Sequence, residues 1–231
     1  MFPQVEDVFV DPSLEPYFKP LLSYPHHDYT IHLLSTDGLY AERGAKYSES
    51  GLWGFRYEAG KYNFLGDLSI FDGNNYADIY YIIKDDFEAK KEQYLSERVT
   101  HKAHWEAIED ELTDIANFDY RDVQDYTESC YSYFLSKYNY KQTQNLRYVM
   151  ELVAHFHHDE SDVLLDETAL HVLDEYCLNL KEHLKHDYGF LRDMVVCATE
   201  GTRFTRYGGA SFAFLDRAAD IVYILEYYTT R

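Results

Sequence analysis

Ser211-Phe212-Ala213-Phe214-Leu215 and Ile221-Val222-Tyr223-Ile224-Leu225, separated by a short polar turn, decide how this chain reads. Each run is short, apolar and rich in aromatic or β-branched residues, which is the signature of a buried strand rather than a helix. Gly208-Gly209 ahead of them reads as a turn, so the pair forms a C-terminal hairpin at 202–231.

A second strand-rich block lies at 29–84, and more than 100 residues separate it from the hairpin. Ile31-His32-Leu33-Leu34 runs into the turn signal Asp37-Gly38. Trp53-Gly54-Phe55-Arg56-Tyr57 and Tyr62-Asn63-Phe64-Leu65 flank Glu58-Ala59-Gly60-Lys61 as a hairpin. Leu68-Ser69-Ile70-Phe71 and Asp78-Ile79-Tyr80-Tyr81-Ile82-Ile83 extend the block to an expected antiparallel meander of four or five strands. If the C-terminal hairpin joins this meander, the two ends of the chain share one sheet. The middle is then a separate layer, and the fold class is α+β within a single domain, 1–231.

That middle, 85–190, has a helical period. Phe87, Tyr94, Val99, Trp105, Ile108, Leu112 and Ile115 recur at helical spacing. Asp122 to Lys137 predicts a second helix and Gln144 to His157 a third. The fourth follows Ser161-Asp162, with Leu165, Ala169, Leu173, Tyr176, Leu180 and Leu184 as its buried stripe. All five prolines fall within the first 25 residues, so 1–28 reads as an irregular arm anchored by Phe9, Tyr17, Phe18 and Leu21.

Charge narrows the function classes. The chain of 231 residues holds 41 Asp and Glu against 21 Lys and Arg, a formal net charge of −20. Such a chain repels phosphate backbones and anionic membrane surfaces and draws basic proteins. Its aromatic content, 17% with 24 tyrosines, separates it from acidic disordered chains. The acid is concentrated: residues 85–120 hold 11 acids and 4 bases, and residues 161–200 hold 9 and 3. No apolar run reaches the roughly 20 residues of a membrane helix. Cys130, Cys177 and Cys197 are an odd set without a CxxC pair, which predicts reduced thiols and, with no leader visible at Met1, a cytoplasmic location.

Two constellations are candidates for function. The first is the segment Asp119, Tyr120, Asp122, Asp125, Tyr126, Glu128 and Tyr133. Tyrosine joins a rigid apolar ring to a polar tip, so these rings either wall a helical core or, framed by acids, form a surface for a basic protein. The second is His155, His157 and His158 beside Asp159 and Glu160, with the pairs His101/His104 and His183/His186 elsewhere. Such groups either sit at the surface or bind a metal in a hydrolase, but neither HExxH nor a Cys/His zinc spacing is present. Nucleophile elbows and phosphate loops are absent too, and Arg203 with Arg206 reads first as an ion-pairing set. The expectation is therefore a non-enzymatic binding module of the immunity or inhibitor kind. It would need no cofactor and would neutralise a basic partner such as a toxin or nuclease. A metal-dependent hydrolase is the alternative.

Overall fold

A computed structural model of the chain describes residues 2–39, 47–49, 51–96, 112, 120–144, 173, 174, 176–178, 191–200 and 210–227. The fold is α+β. A short helix α1 (Val5–Val8) and a 3-10 turn (Pro12–Leu14) precede strands β1 (Lys19–His26) and β2 (Tyr29–Ser35). Then come β3 (Ser48–Glu49), β4 (Leu52–Glu58), β5 (Lys61–Phe64) and a second 3-10 turn (Leu68–Asn74). Among the described residues, two long helices, α2 (Tyr76–Ser96) and α3 (Tyr120–Thr143), belong to the helical layer. The short helix α4 (Leu191–Met194) leads into β6 (Val195–Glu200), β7 (Ala210–Asp216) and β8 (Ile221–Tyr227).

The C-terminal hairpin does join the N-terminal strands. The main sheet runs β3-β4-β8-β7-β6, with β5 paired to β4. Trp53 faces Ile224 and Phe55 faces Val222 across the antiparallel β4–β8 seam. Pleating explains why β7 and β8 read as unbroken apolar runs. On β7, Phe212 and Phe214 enter one hydrophobic cluster while Ala213 and Leu215 enter another. On β8, Val222 and Ile224 join the second of these and Leu225 the first. Both faces are covered, so neither can be polar. Leu173, Tyr176 and Leu191 cover one face, and the stripe expected of the fourth helix supplies the first two.

The other face carries the larger core. An aromatic chain leads from sheet to helices: Trp53 lies 5.5 Å from Phe71, Phe71 lies 6.1 Å from Tyr76, and Tyr76 lies 4.6 Å from Tyr126. Such ring pairs add roughly 0.5–1.5 kcal/mol each beyond the area they bury.

The structure corrects the expected meander at three points. First, Leu68–Phe71 is a 3-10 turn and Asp78–Ile83 is helix, so α2 begins nine residues ahead of Asp85. The run Ile79-Tyr80-Tyr81-Ile82-Ile83 favours strand by propensity, yet Tyr76, Ile79, Tyr80, Ile83 and Phe87 are all buried at helical spacing. Packing against α3 decides the matter. Second, the proline-bearing arm contains β1, with Pro20 and Pro25 inside it. Prolines are tolerated there because β1 pairs only with β2, and a register shift falls at Pro20/Leu22. Third, β1 and β2 form a two-stranded sheet of their own.

Tyrosines close the open edge of β2. The Thr30 amide donates to the Tyr57 hydroxyl at 2.8 Å, and the His32 amide donates to the Tyr62 hydroxyl at 2.7 Å. One residue beyond β2's last backbone pair with β1, the Thr36 amide donates to Glu226 at 2.6 Å. Side chains of β4, β5 and β8 thus satisfy backbone donors that an unpaired strand would leave open to another chain. The expected third helix, from Gln144 on, lies outside the described residues beyond that first position, as do residues 145–172.

Candidate functional site

The two long helices differ in how they are buried. Contacts advance together along them, from Tyr76–Tyr126 through Tyr80–Phe134 at 5.2 Å to Phe87–Tyr138 at 6.3 Å, so they run parallel. In α3 every residue from Tyr126 to Ser136 is buried. Its non-aromatic positions are mostly small, such as Thr127, Ser129, Cys130, Ser132 and Ser136, which lets neighbours close in on all sides. The loop after β2 is one such neighbour. Gly38, at φ +81°, passes so near that a Cβ there would lie 2.7 Å from the Tyr126 Cα.

This places the sequence-derived partner segment residue by residue. Tyr126 and Tyr133 are in the core, where burial drives both hydroxyl pKa values well above the ordinary tyrosine range. The Tyr126 hydroxyl donates to the Pro16 carbonyl at 2.6 Å. Glu128 is buried as well and accepts from the Gln124 amide at 2.9 Å. Asp125 is half-buried. Tyr120 and Asp122 lie in the first turn of α3, and Asp119 lies outside the described residues. Of the two readings of this segment, the walling of a core is what Tyr126 and Tyr133 do. His155, His157 and His158 also lie outside the described residues. Among the described residues, no group of three His, Cys, Asp or Glu could hold a metal ion.

Acid and tyrosine do meet at the surface, on α2. Asp78, Tyr81, Asp85, Glu88 and Glu92 recur at spacings of three and four, and all are exposed. They form one stripe down the outer face, about 21 Å long at 1.5 Å per residue. Tyr81 is 46% exposed, one of three large hydrophobic residues so open among the described residues. Asp78 and Asp85 make no ion pair among the described residues, whereas Glu88 holds Lys91 at 2.6 Å and Glu92 accepts from the Tyr138 hydroxyl. Reading residues 78–83 as strand hid this stripe. The 3-4-3-4 recurrence appears only when the helical period is carried back to Tyr76.

No protein family, curated protein or solved structure matches this chain. Its chemistry must therefore be read from its own side chains. Beside the α2 stripe opens a cleft of about 520 Å³, walled by the N-terminal segment, α2 and α3. Lys84, Lys137 and Lys141 line it together with Glu15. Glu15 is buried and accepts from the Lys84 ammonium at 2.9 Å, with the Lys137 ammonium 3.7 Å away. Burial, only partly offset by Glu15, lowers the pKa of Lys137.

A second polar cluster lies inside the protein. The buried Lys19 ammonium donates to the Asp37 carbonyl at 2.9 Å and stands 5.0 Å over the Tyr126 ring. Glu226 accepts from the Thr36 amide and hydroxyl and from Ser35. Burial first, and Asp37 second, push its carboxyl up to about 7. These groups tie the end of β2 to β8 and to α3, and their role is structural. Two of the thiols are equally internal: burial raises Cys130 to about 11 and Cys197 to about 12, far from the range of a nucleophile at neutral pH. None of the three cysteines is in a disulfide. No helix among the described residues is long and apolar enough to cross a membrane.

Proposed function

We propose that this chain is a protein-binding module for a basic partner, acting in the cytoplasm as an immunity-type or inhibitor protein that covers the positive site of a toxin or nuclease. The observation that carries this reading is Tyr81, exposed on α2 between Asp78 and Asp85, two carboxylates with no ion pair among the described residues. Charge of −20 speeds the encounter and sets its orientation. A half-exposed aromatic among open carboxylates supplies the anchor, since buried aromatics hold most of the energy of such interfaces. The carboxylates pair with Lys and Arg of the partner once water leaves. Cysteines outside disulfides suit a reducing compartment.

The test compares the wild-type chain with Tyr81→Ala/Asp85→Lys as baits for basic proteins. Retention should fall at least about tenfold in the variant, and in the wild type as salt rises from about 50 to about 300 mM. Equal retention by both baits, or retention that ignores salt, refutes the reading.

A further inference from the structure

The cleft beside α2 gathers three lysines within a strongly acidic protein. Lys137 and Lys141 lie one turn apart on α3, and Lys84 comes from α2. The Lys137 ammonium has three protons to place, and its side chain is only 16% exposed. Its partners are the Tyr133 hydroxyl at 3.3 Å and Glu15 at 3.7 Å, with the Tyr133 ring 5.2 Å below. That is incomplete hydrogen bonding for a cation largely removed from water. Lys84 spends one bond on Glu15, and Lys141 is exposed with no ion pair among the described residues. Two further acids border the cleft, but Glu88 is held by Lys91 at 2.6 Å and Glu6 is exposed at the rim. Lys84 and Lys137 therefore share one buried carboxylate, and neither Glu6 nor Glu88 pairs with any of the three ammonium groups among the described residues.

We propose that this cleft binds a phosphomonoester carried on a small organic body, its oxygens held by Lys84, Lys137 and Lys141 and its body lying against Tyr81, Phe134 and Tyr138. A phosphomonoester carries about −1.5 to −2 charge at neutral pH and three strong acceptor oxygens, one for each ammonium group. A carboxylate would leave one ammonium unmatched. Lysine also suits phosphate as a point charge that needs no bidentate geometry. A cleft of about 520 Å³ has room for far more than the oxyanion, and its walls are aromatic. The site is distinct from the proposed partner contact: Asp78 and Asp85 do not line it, and Tyr81 and Glu88 border both.

Calorimetric titration of the full chain with phenyl phosphate, inorganic phosphate and benzoate tests this. Phenyl phosphate should bind saturably and at least about tenfold more tightly than benzoate or inorganic phosphate. Lys137→Gln and the exposed Lys141→Gln should each weaken it at least about fivefold, whereas Glu15→Gln, which frees two ammonium groups, should tighten it. A melting temperature unchanged in Lys141→Gln makes that variant the decisive one. Failure of phenyl phosphate to saturate at about 10 mM, or binding indifferent to Lys141→Gln, overturns the proposal. Inorganic phosphate binding as tightly as phenyl phosphate overturns the part given to the aromatic walls.

Discussion

Helices α2 and α3 lie side by side, run the same way and are both rich in tyrosine, yet they use it in opposite ways. On α3 the rings of Tyr126, Tyr131 and Tyr133 are inside, with small residues between them. On α2, Tyr76 and Tyr80 point to the core while Tyr81 stands in a row of exposed acids. The tyrosine hydroxyls follow the same division. Tyr57, Tyr62 and Tyr126 satisfy backbone groups, and Tyr131 donates to Asp86 at 2.6 Å across the helix pair. Density of tyrosine along the chain therefore says little about surface. What matters is whether the intervening residues are small and neutral or long and charged.

The largest expected effect tests burial directly. Tyr126→Ala should cost about 4 kcal/mol of stability in urea denaturation, as large-to-small changes in a packed core do, while Tyr81→Ala should change it by less than about 0.5 kcal/mol. Comparable losses would erase the contrast between the helices. Next is Gly38→Ala, which should destabilise by about 3 kcal/mol, because an added Cβ meets the backbone of α3 and the position has positive φ.

Charge shows the same inside–outside division, and Glu226 sharpens it through pH. Its folded pKa is raised to about 7, so its contribution to stability is fully present below the ordinary carboxylate range and is lost as pH rises through about 7. Glu226→Gln removes that loss. Between pH 5 and pH 8 the variant should gain on the order of 2 kcal/mol relative to wild type, read from denaturation at both pH values. Parallel pH profiles would mean that Glu226 is not the group that titrates. The smallest effect concerns Thr127 of α3, whose buried hydroxyl has no hydrogen-bond partner among the described residues. Thr127→Val keeps the shape and should leave stability unchanged or raise it by up to about 1 kcal/mol, whereas Tyr126→Phe, which orphans the Pro16 carbonyl, should lower it by about 1 kcal/mol.

How much of this was legible depended on whether one segment carried the signal. The C-terminal hairpin was legible because burial on both faces writes itself as two unbroken apolar runs. Leu173 and Tyr176 were legible as a stripe, and both are buried. The start of α2 was not, because Ile79 to Ile83 are strand formers whose helical state is set by α3, some 50 residues on. The cleft was invisible for a different reason: Glu15 meets Lys84 across 69 positions, and neither residue stands out in its own neighbourhood. The tie between Thr36 and Glu226 spans 190 positions. Single-segment patterns report burial well and report convergence of distant polar groups poorly.

The central claim is that the working surface for a basic partner is the outer face of α2. Its most direct measurement is side-by-side capture of basic proteins by the wild type, by Tyr81→Ala/Asp85→Lys, and by Asp28→Lys, a charge change on the exposed β1–β2 turn. The account predicts that Asp28→Lys retains its partner within about twofold while the α2 variant loses it by at least about tenfold. Equal loss in the two variants, or none in either, would contradict it.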